Sequence, residues 1–394
     1  MEAIRNLKYK KFIQHLISLG GDVYVVGGAV RDQLLGKQNK DIDLVVRELP
    51  LEKLVSELKQ FGKVDVVGES FGVIKLQAHE DNDEYDIALP RTEEKIGNGH
   101  KGFDVQSDKD LPIETDLTRR DSTINSVAFS LNRGKLVDPL GGLEDMKKKQ
   151  MRMTNPQSFS DDPLRMLRTV GFASRFGFDI EEETMRVIRS NASSISEISP
   201  ERILIEFDKI VKKGNKQEAA ILLKSTGLMS HIFGKDSGVL ISPEWEKIGT
   251  MGEFIFLLSN NLVEKPSEFF KTHLKGDLEN MKLIEALEIF DSNDVKNINE
   301  ARVLVQMMLG KSKSSLSSQL LQRDTLISQA IEEFRNQKMP KGMGDLDING
   351  NDLMSLGLKG KEVGDMLKSL LIRIYFDKIE NRKEELLNFV KNGR

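Results

Sequence analysis

The feature that most constrains this chain lies in residues 23–46, which read VYVVGGAVRDQLLGKQNKDIDLVV. An apolar, strand-like run from Val23 to Val26 stops at Gly27-Gly28, and a short helical stretch follows. Glycine has no Cβ, so the backbone of this turn can approach a phosphate closely, and the amides that open the next helix can face an anion. The segment therefore predicts a strand, a glycine turn and a helix arranged around an anionic ligand.

Two aspartates open the next apolar run. Asp41 and Asp43 are one residue apart at the start of Leu44–Val46. Because alternate residues of a strand share one face, the two carboxylates should project side by side, where they would repel unless a divalent cation joined them. Asp86, in the strand-like run EYDIALP, is a candidate third carboxylate, and a solvated strand charge is the alternative interpretation. Together with the glycine turn, this pattern predicts a metal-dependent nucleotide site.

The composition excludes several classes of protein. The chain has 394 residues, of which 39% are hydrophobic and 30% charged, with a net charge of −4; this is typical of a globular protein with two or more domains. The absence of cysteine excludes disulfides and thiolate metal sites and fits a reducing cytosol. No apolar run approaches the ~20 residues of a membrane span, so we expect a cytoplasmic protein without membrane contact. The mild acidity means that RNA binding would require a local basic patch.

The distribution of apolar residues predicts an α+β fold. Strands and helices mix up to about residue 140, whereas the pattern beyond about residue 160 is helical. We therefore expect an α/β head over 1–150, a helical neck over 151–235, and a helical body and tail over 236–394. The predicted strands are 22–26, 42–46, 63–67, 72–78, 84–89, 126–131 and 135–137, and the predicted helices include 1–20, 29–35, 51–60, 162–176, 200–212 and 216–225.

Two charged segments add candidate binding residues. Residues 119–125 read RRDSTIN, in which Arg120 can pair bidentately with a phosphate. Asp121 could hold an arginine or a ribose hydroxyl, and a surface charge cluster is the alternative interpretation. Residues 161–168 read DDPLRMLR. This spacing predicts a charged helix start.

In this order, the segments resemble the motifs of class II tRNA nucleotidyltransferases, the family of bacterial CCA-adding enzymes and poly(A) polymerases. The Gly-Gly turn with the Asp pair is similar to motif A, RRDSTIN to motif B, DPLGG to motif C, DDPLRMLR to motif D and ISPERILIEF to motif E. The resemblance implies a polymerase-beta-like nucleotidyltransferase head. It also implies that Asp41 and Asp43 are catalytic and hold Mg²⁺, and that Gly28, Arg31 and Arg120 hold the phosphates and ribose of the nucleotide.

Base chemistry gives the motif D residues a role. Cytosine and adenine both present an amine donor beside a ring-nitrogen acceptor, and uracil and guanine present the reverse. Asp162 can accept from the amine and Arg165 can donate to the ring nitrogen. Asp162, Arg165 and Arg168 are three residues apart, so neighbours in the series should share a helix face. The pair should accept C or A and reject U or G, with each wrong bidentate contact costing ~1–3 kcal/mol, while Arg168 is placed for a triphosphate contact.

The resemblance implies an enzyme that adds or repairs the 3′-terminal CCA of tRNA from CTP and ATP and releases pyrophosphate. The glycine-rich stretch within 84–103 resembles a loop that helps the family change from C to A addition, which favours A-adding or full CCA-adding activity. Three alternatives stay open: an A-adding or CC-adding specialist that works with a partner enzyme, a poly(A) polymerase, and a catalytically inactive RNA-binding relative.

The chain departs from the family pattern at two positions. Gly171 lies where the family often has arginine, and Arg175, one turn further on, is a candidate to compensate. Ser122 replaces the usual aromatic residue of motif B. Near the C-terminus, a segment resembles the part of the family that meets tRNA, and its lysines are candidate phosphate contacts: Lys359, Lys361 and Lys368.

Overall fold

The computed structural model describes residues 1–39, 41–67, 72–95, 103–234, 245, 248–260, 262–311, 324–336 and 338–392. The chain divides into two compact units, Met1–Gly234 and Lys235–Arg394. Strands and helices alternate at the start of the first unit, and helices make up the rest of it and the described part of the second. The predicted α+β fold class is confirmed, and the finer division into head, neck, and body and tail stays a prediction.

A mixed sheet forms the centre of the first unit. Among the described residues it has seven strands in the order β3-β4-β5-β2-β1-β8-β9. Strands β2 and β5 are parallel, and the other neighbours are antiparallel. The strands of this sheet are β1 (Asp22–Val26), β2 (Ile42–Arg47), β3 (Gly62–Val67), β4 (Val73–Ala78), β5 (Glu84–Ala88), β8 (Ala128–Ser130) and β9 (Lys135–Val137). Two separate two-stranded sheets are formed by β6 (Arg91–Lys95) with β7 (Phe103–Ser107) and by β10 (Gln150–Met151) with β11 (Asp179–Ile180).

The central strand β1 is buried along its whole length, as its sequence DVYVV predicts for a strand covered on both faces. Tyr24 and Val26 contribute to a core cluster with Val45 of the neighbouring strand and with Ile113 and Leu117 of the helix that precedes β8. This packing holds the end of β1, where the glycine turn begins, against the start of β2. The sheet thus places the two halves of the predicted nucleotide site beside each other.

Helices surround this sheet and continue beyond it. Those of the first unit are α1 (Glu2–Asn6), α2 (Lys11–Ser18), α3 (Gly28–Leu34), α4 (Leu51–Leu58), α5 (Ile113–Thr118), α6 (Gly142–Lys148), α7 (Gln157–Asp161), α8 (Leu164–Phe176), α9 (Glu182–Asn191), α10 (Pro200–Lys213), α11 (Lys216–Ser225) and α12 (Leu228–Phe233). Those of the second are α13 (Met251–Ser259), α14 (Pro266–Thr272), α15 (Leu278–Asp291), α16 (Ile298–Lys311), α17 (Thr325–Arg335), α18 (Gly350–Ser355), α19 (Lys361–Tyr375) and α20 (Lys383–Asn392). None of the described helices is long and apolar enough to cross a membrane.

Three local predictions were wrong. The expected helix over 1–20 is divided because Lys10 is extended, with ψ of 134°, between a short 3-10 turn and α2. The predicted strands omit the pair of β6 and β7, because the β6 residues RTEEK lack the apolar alternation that marks a strand. Asp162 is not helical: its φ and ψ are −130° and 97°, and α8 begins two residues later.

Candidate active site

Every catalytic and nucleotide-binding residue predicted from the sequence lines one cavity of about 1050 Å³ in the first unit, whereas the candidate tRNA contacts Lys359, Lys361 and Lys368 belong to the second. The cavity is bounded by the β1–α3 turn, the starts of β2 and β5, the RRDSTIN segment, and the helices α8 and α10. The predicted residues are Gly28, Arg31, Asp41, Asp43, Asp86, Arg120, Asp162, Arg165 and Arg168. The structure therefore brings them together, and their individual roles remain proposals.

The glycine turn has the backbone geometry that the sequence predicts. Gly27 has φ of +67° and ψ of −131°, a conformation that L-residues rarely adopt. A Cβ at Gly27 would lie 2.9 Å from a guanidinium nitrogen of Arg120, and a Cβ at Gly28 would lie 3.2 Å from the amide nitrogen of Asn39. Neither glycine has a side chain that would fill this space between the turn and the cavity. The backbone of the turn is therefore open on the side where a ligand would bind.

Three carboxylates lie together at the start of β2 and on the adjacent part of β5. Asp43 is paired in register with Asp86 on the adjacent parallel strand, and the exposed Asp41 comes immediately before β2. Burial raises the pKa of Asp43, and the negative charges of Asp86 and Asp41 raise it further against the opposing charges of Arg120 and Lys75. This part of the cavity therefore has negative charge that the protein compensates incompletely.

The third carboxylate is already engaged by a lysine. Lys75 on β4 donates to Asp86 at 3.0 Å and to Glu84 at 2.7 Å. In the part of the chain that the structure describes, no group of three or more acidic, histidine or cysteine side chains is arranged to hold a metal ion. The pair of Asp41 and Asp43 is the remaining candidate for that role.

Arg120 is held beside the carboxylates by a buried aspartate that the sequence analysis missed. Asp116 is fully buried and accepts hydrogen bonds from Arg119 at 2.7 Å and from Arg120 at 3.0 Å. Burial alone would raise the pKa of Asp116, but the charges of Arg120 and Arg119 outweigh it and lower the pKa. The spacing could have revealed the pairing, because Asp116 precedes the two arginines by three and four residues on one helix face.

The Nε group of Arg120, unlike Nη2, is not paired with Asp116. It is buried, and it has no hydrogen-bond partner among the described residues. The same guanidinium lies against the glycine turn and contributes the charge that opposes the raised pKa of Asp43. A buried donor without an acceptor is unfavourable, so an anionic group bound at the turn would satisfy Arg120.

Arg31 makes more contacts within the protein than its predicted role in nucleotide binding suggests. It is buried, donates to Asp32 at 2.8 Å and to the Asn125 side chain at 2.5 Å, and lies over the rings of Phe172 and Phe176. Burial lowers the pKa of Arg31, against the charge of Asp32. Its guanidinium therefore adds positive charge to the cavity, while much of its hydrogen bonding is directed within the protein.

Arg168 is likewise engaged by the protein. It donates to Asp121 through Nε at 2.9 Å and Nη2 at 2.8 Å, and it lies 3.5 Å from the Glu206 carboxylate. Burial would raise the pKa of Asp121, but Arg168 and a hydrogen bond from Asn125 hold it at about 2. A triphosphate contact by Arg168 would have to be shared with these two carboxylates.

The predicted base-reading pair, Asp162 and Arg165, lies at the start of α8. One Asp162 oxygen accepts from the Leu164 amide at 3.2 Å, and the other accepts from Arg202 at 2.9 Å. The Arg165 amide donates to the Asp162 carbonyl at 3.0 Å, which fixes the two residues relative to each other. Arg202 lies on α10 within ISPERILIEF, and its contact with Asp162 agrees with the expectation that this segment organises one helix against another.

The comparisons with known families and structures agree with this geometry. Residues 23–152 match the Poly A polymerase head domain, residues 177–236 the RNA and SrmB-binding site of polymerase A, and residues 256–390 the tRNA nucleotidyltransferase domain 2. The Multifunctional CCA protein of Nitrosococcus oceani is 36% identical over 215 residues, which are 54% of this chain and 50% of that relative. The chain therefore spans about half the length of the curated relative that it matches.

Solved structures match nearly the whole chain. The Bacillus stearothermophilus CCA-adding enzyme in complex with CTP is 25% identical, with a TM-score of 0.78 over 99% of this chain and 97% of that one. The Thermotoga maritima CCA-adding enzyme complexed with tRNA has the same fold, with 24% identity and a TM-score of 0.71 over 100% and 95%.

The head sheet and its carboxylate cavity define a nucleotidyltransferase. The chain belongs to the family of class II tRNA nucleotidyltransferases, which contains the CCA-adding enzymes and the bacterial poly(A) polymerases.

Proposed function

We propose that this protein adds or repairs the 3′-terminal CCA of tRNA, using CTP and ATP without a nucleic-acid template. The observation that carries the proposal is that one cavity contains both the carboxylates Asp41 and Asp43 and the pair Asp162 and Arg165. A site that joins a nucleotide to an RNA end needs the first pair for chemistry, and a site that chooses the nucleotide without a template needs the second. The location that fits this activity is the cytoplasm, where tRNA is processed.

Base selection is proposed for Asp162 and Arg165, hereafter the base-reading pair. Although Asp162 already accepts two hydrogen bonds, a carboxylate has about four lone-pair sites, so it can still accept from the amine of cytosine or adenine. Arg165 can donate to the ring nitrogen beside that amine. Uracil and guanine would place a carbonyl oxygen against the carboxylate and an N–H against the guanidinium, which disfavours both.

The catalytic carboxylates, Asp41 and Asp43, fit a divalent cation such as Mg²⁺. Burial and the neighbouring carboxylates raise the pKa of Asp43, so a cation bound between Asp41 and Asp43 would stabilise their ionised forms. Mg²⁺ is commonly bound by one or two carboxylates, with substrate phosphates completing its coordination, so a pair is sufficient. A cation held there supplies Lewis-acid activation of the attacking 3′-hydroxyl and neutralises charge on the triphosphate.

The protein groups around the carboxylates orient the nucleotide. Arg120, whose Nη1 lies against the glycine turn, and the backbone of Gly27-Gly28 receive the phosphates, and Asp116 keeps Arg120 in place. Fixed positions for the triphosphate and the base leave the α-phosphate facing the tRNA end. Such positioning can supply much of the rate enhancement in phosphoryl-type transfer.

The test is a primer-extension assay with Mg²⁺ on tRNA transcripts that end before CCA, at C and at CC. Each transcript is incubated with CTP, with ATP and with both. We expect all three to grow to a uniform CCA end when both nucleotides are present. Asp43→Asn should abolish extension, whereas Asp65→Asn, a control on the exposed ion pair with Lys63 outside the cavity, should not change it.

The other outcomes identify the rival functions. Growth of only the CC-ended transcript would indicate an A-adding specialist, growth that stops at CC would indicate a CC-adding specialist, and long A tails on any RNA would indicate a poly(A) polymerase. tRNA binding without extension would indicate an inactive relative. The glycine-rich stretch 96–102, on which the prediction of A addition depends, lies outside the described residues, so this assay decides the point.

Base selection has its own test. Arg165→Ala should lower the preference for CTP over UTP by roughly 5- to 150-fold, the range that corresponds to the loss of one bidentate base contact. The measurement is kcat/KM for each nucleotide on the tRNA that ends before CCA. An unchanged ratio would exclude Arg165 from base selection.

A further inference from the structure

Helix α8 carries two arginines that contact two different carboxylates. Arg168 and Arg175 are seven residues apart, so they share a face of the helix and are separated by about 10 Å along its axis. Arg168 donates to Asp121 of the RRDSTIN segment at 2.9 Å, and Arg175 donates to Asp32 of α3 at 3.1 Å. The helix that has the base-reading pair at its start is thus joined to the catalytic part of the unit at two points.

The two carboxylates are also connected to each other. Asn125 donates to Asp121 at 2.8 Å and accepts from Arg31 at 2.5 Å, and Arg31 donates to Asp32 at 2.8 Å. These five contacts join six side chains in a row, and helix α8, which carries the first and the last of them, closes the ring, hereafter the ion-pair ring: Arg31, Asp32, Asp121, Asn125, Arg168 and Arg175. Because each contact orients the next, displacement of one member affects all the others.

Aromatic residues fill the space inside this ring. Phe172 and Phe176 are one turn apart on α8 and stack with their centroids 6.1 Å apart at 10°. The Arg31 guanidinium lies 5.0 Å and 4.8 Å from the two centroids, and Arg175 lies 4.9 Å from that of Phe176. Asp32 is only 2% exposed, so its contact with Arg175 is weakly screened by water.

Gly171 explains why the second contact is made so far along the helix. This position has no side chain, and a Cβ here would meet only Ile210, at 3.5 Å. It cannot attach α8 to the catalytic part of the unit, and Arg175, one turn later, makes an attachment instead. The buried apolar face of α8 packs against the helices that follow it, and Arg175 adds to Arg168 a second ion pair that sets the helix relative to the catalytic part of the unit.

We propose that Arg175 is a positioning residue for nucleotide selection. Through Asp32 it sets the direction of α8, and thereby the distance between the base-reading pair and the catalytic carboxylates. The inference rests on the proposed function, because it assigns Arg175 to the same nucleotide site. A base and a triphosphate held by two parts of the protein react well only if those parts keep a fixed separation.

The consequences are kinetic. A misplacement of about 1 Å can lower a rate by about 10²-fold, so we expect Arg175→Gln to lower kcat for CTP by roughly ten- to hundredfold. The KM for CTP should change by less than about threefold, because the groups that contact the nucleotide are still present. The preference for CTP over UTP should fall as well, because a displaced helix relaxes the base contacts.

The experiment measures kcat and KM for CTP and UTP on the tRNA that ends before CCA, in a double-mutant cycle. The variants are Arg175→Gln, Asp32→Asn and the two combined, with Arg175→Lys as the conservative substitution. Arg186→Gln is the matched control, since Arg186 is an exposed arginine of α9 that pairs with Glu183 outside the cavity. We expect the combined variant to lose no more activity than Asp32→Asn, Arg175→Lys to recover part of kcat, and the control to equal the wild type.

Two results would overturn the inference while leaving the proposed function intact. One is a wild-type kcat and CTP preference in Arg175→Gln. The other is an equal rise in KM for both nucleotides with kcat unchanged and effects additive with Asp32→Asn, which would mean that Arg175 binds the triphosphate directly. If the wild type extends no RNA, the proposed function fails, and hydrogen exchange decides the role of Arg175: faster exchange of the α8 amides in Arg175→Gln supports it, and unchanged exchange refutes it.

Discussion

Replacement of Asp121 by asparagine should show how much stability the ion-pair ring contributes. Asp121 is 8% exposed and accepts hydrogen bonds from Asn125 and Arg168. Although burial raises the pKa of Asp121, these partners hold it at about 2, against an ordinary value of 3.8. Since one pKa unit corresponds to about 1.4 kcal/mol, the ionised carboxylate stabilises the folded state by roughly 2–3 kcal/mol at neutral pH.

The pH dependence has a definite sign. A carboxylate whose pKa is lower in the folded state stabilises that state fully above its unfolded pKa, and the contribution is lost as the pH falls through the folded pKa. For Asp121 these limits are 3.8 and about 2. The difference in unfolding free energy between wild type and Asp121→Asn should therefore be constant from pH 8 to about pH 5 and should shrink below about pH 4.

Urea unfolding can measure the effect of Asp121→Asn on the first unit separately from the second. Trp245 is the single tryptophan and belongs to the second unit, so its fluorescence reports the unfolding of that unit, whereas circular dichroism reports both. The variant should shift the dichroism transition and leave the fluorescence transition in place, and Asp65→Asn should shift neither. A loss below about 0.5 kcal/mol at pH 7, or a loss that is as large at pH 3 as at pH 7, would refute the argument.

Three further substitutions give separate tests. Gly171→Ala should raise the free energy of unfolding by about 0.5–1 kcal/mol in thermal or urea unfolding. The reason is that a helix-interior glycine gains a Cβ that makes an ordinary contact 3.5 Å from Ile210, and a loss of stability would contradict this packing. Gly27→Ala should lower kcat/KM for CTP by at least about tenfold, because its φ of +67° strains an L-residue and its Cβ would press on a guanidinium; wild-type kinetics would show that the turn needs no glycine. Lys75→Met should lower the Mg²⁺ concentration for half-maximal extension by a few fold, because it frees Asp86 from a neutralising charge 3.0 Å away; an unchanged Mg²⁺ titration would exclude that role.

The sequence predicted the parts of the site that depend on local pattern. Apolar runs between glycines located the strands on both sides of the turn, and the alternation of a strand placed Asp41 and Asp43 near each other. The third carboxylate, Asp86, required an additional fact, the parallel pairing of β2 with β5, which the sequence does not encode locally. The sequence alone therefore left Asp86 as a candidate, with a solvated strand charge as the alternative.

The ion pairs could not be predicted in the same way. Asp32 and Arg175 are 143 residues apart, and Asp162 and Arg202 are 40 apart, so no helical or strand spacing connects them. Their pairing results from tertiary packing that brings together helices far apart in the sequence. Asp116 is the exception, because its distance from Arg120 follows helix periodicity and could have been inferred.

The same ion pairs bear on how the cavity binds a polyanion. An empty cavity lined by several arginines would be destabilised by repulsion, and in this protein each of the arginines considered faces a carboxylate: Arg31 and Arg175 with Asp32, Arg120 with Asp116, and Arg168 with Asp121 and Glu206. These carboxylates weaken the attraction for a triphosphate, but they hold the guanidinium groups in place before the nucleotide arrives. Preorganised donors need no rearrangement when charge develops in the transition state, so a weaker ground-state attraction is compatible with strong catalysis. The affinity that remains should come from groups the protein leaves unsatisfied, namely the Nε of Arg120 and the repelling pair of Asp41 and Asp43. The bound nucleotide and its cation would then supply the partners that these groups lack, while the other arginines keep their carboxylate contacts.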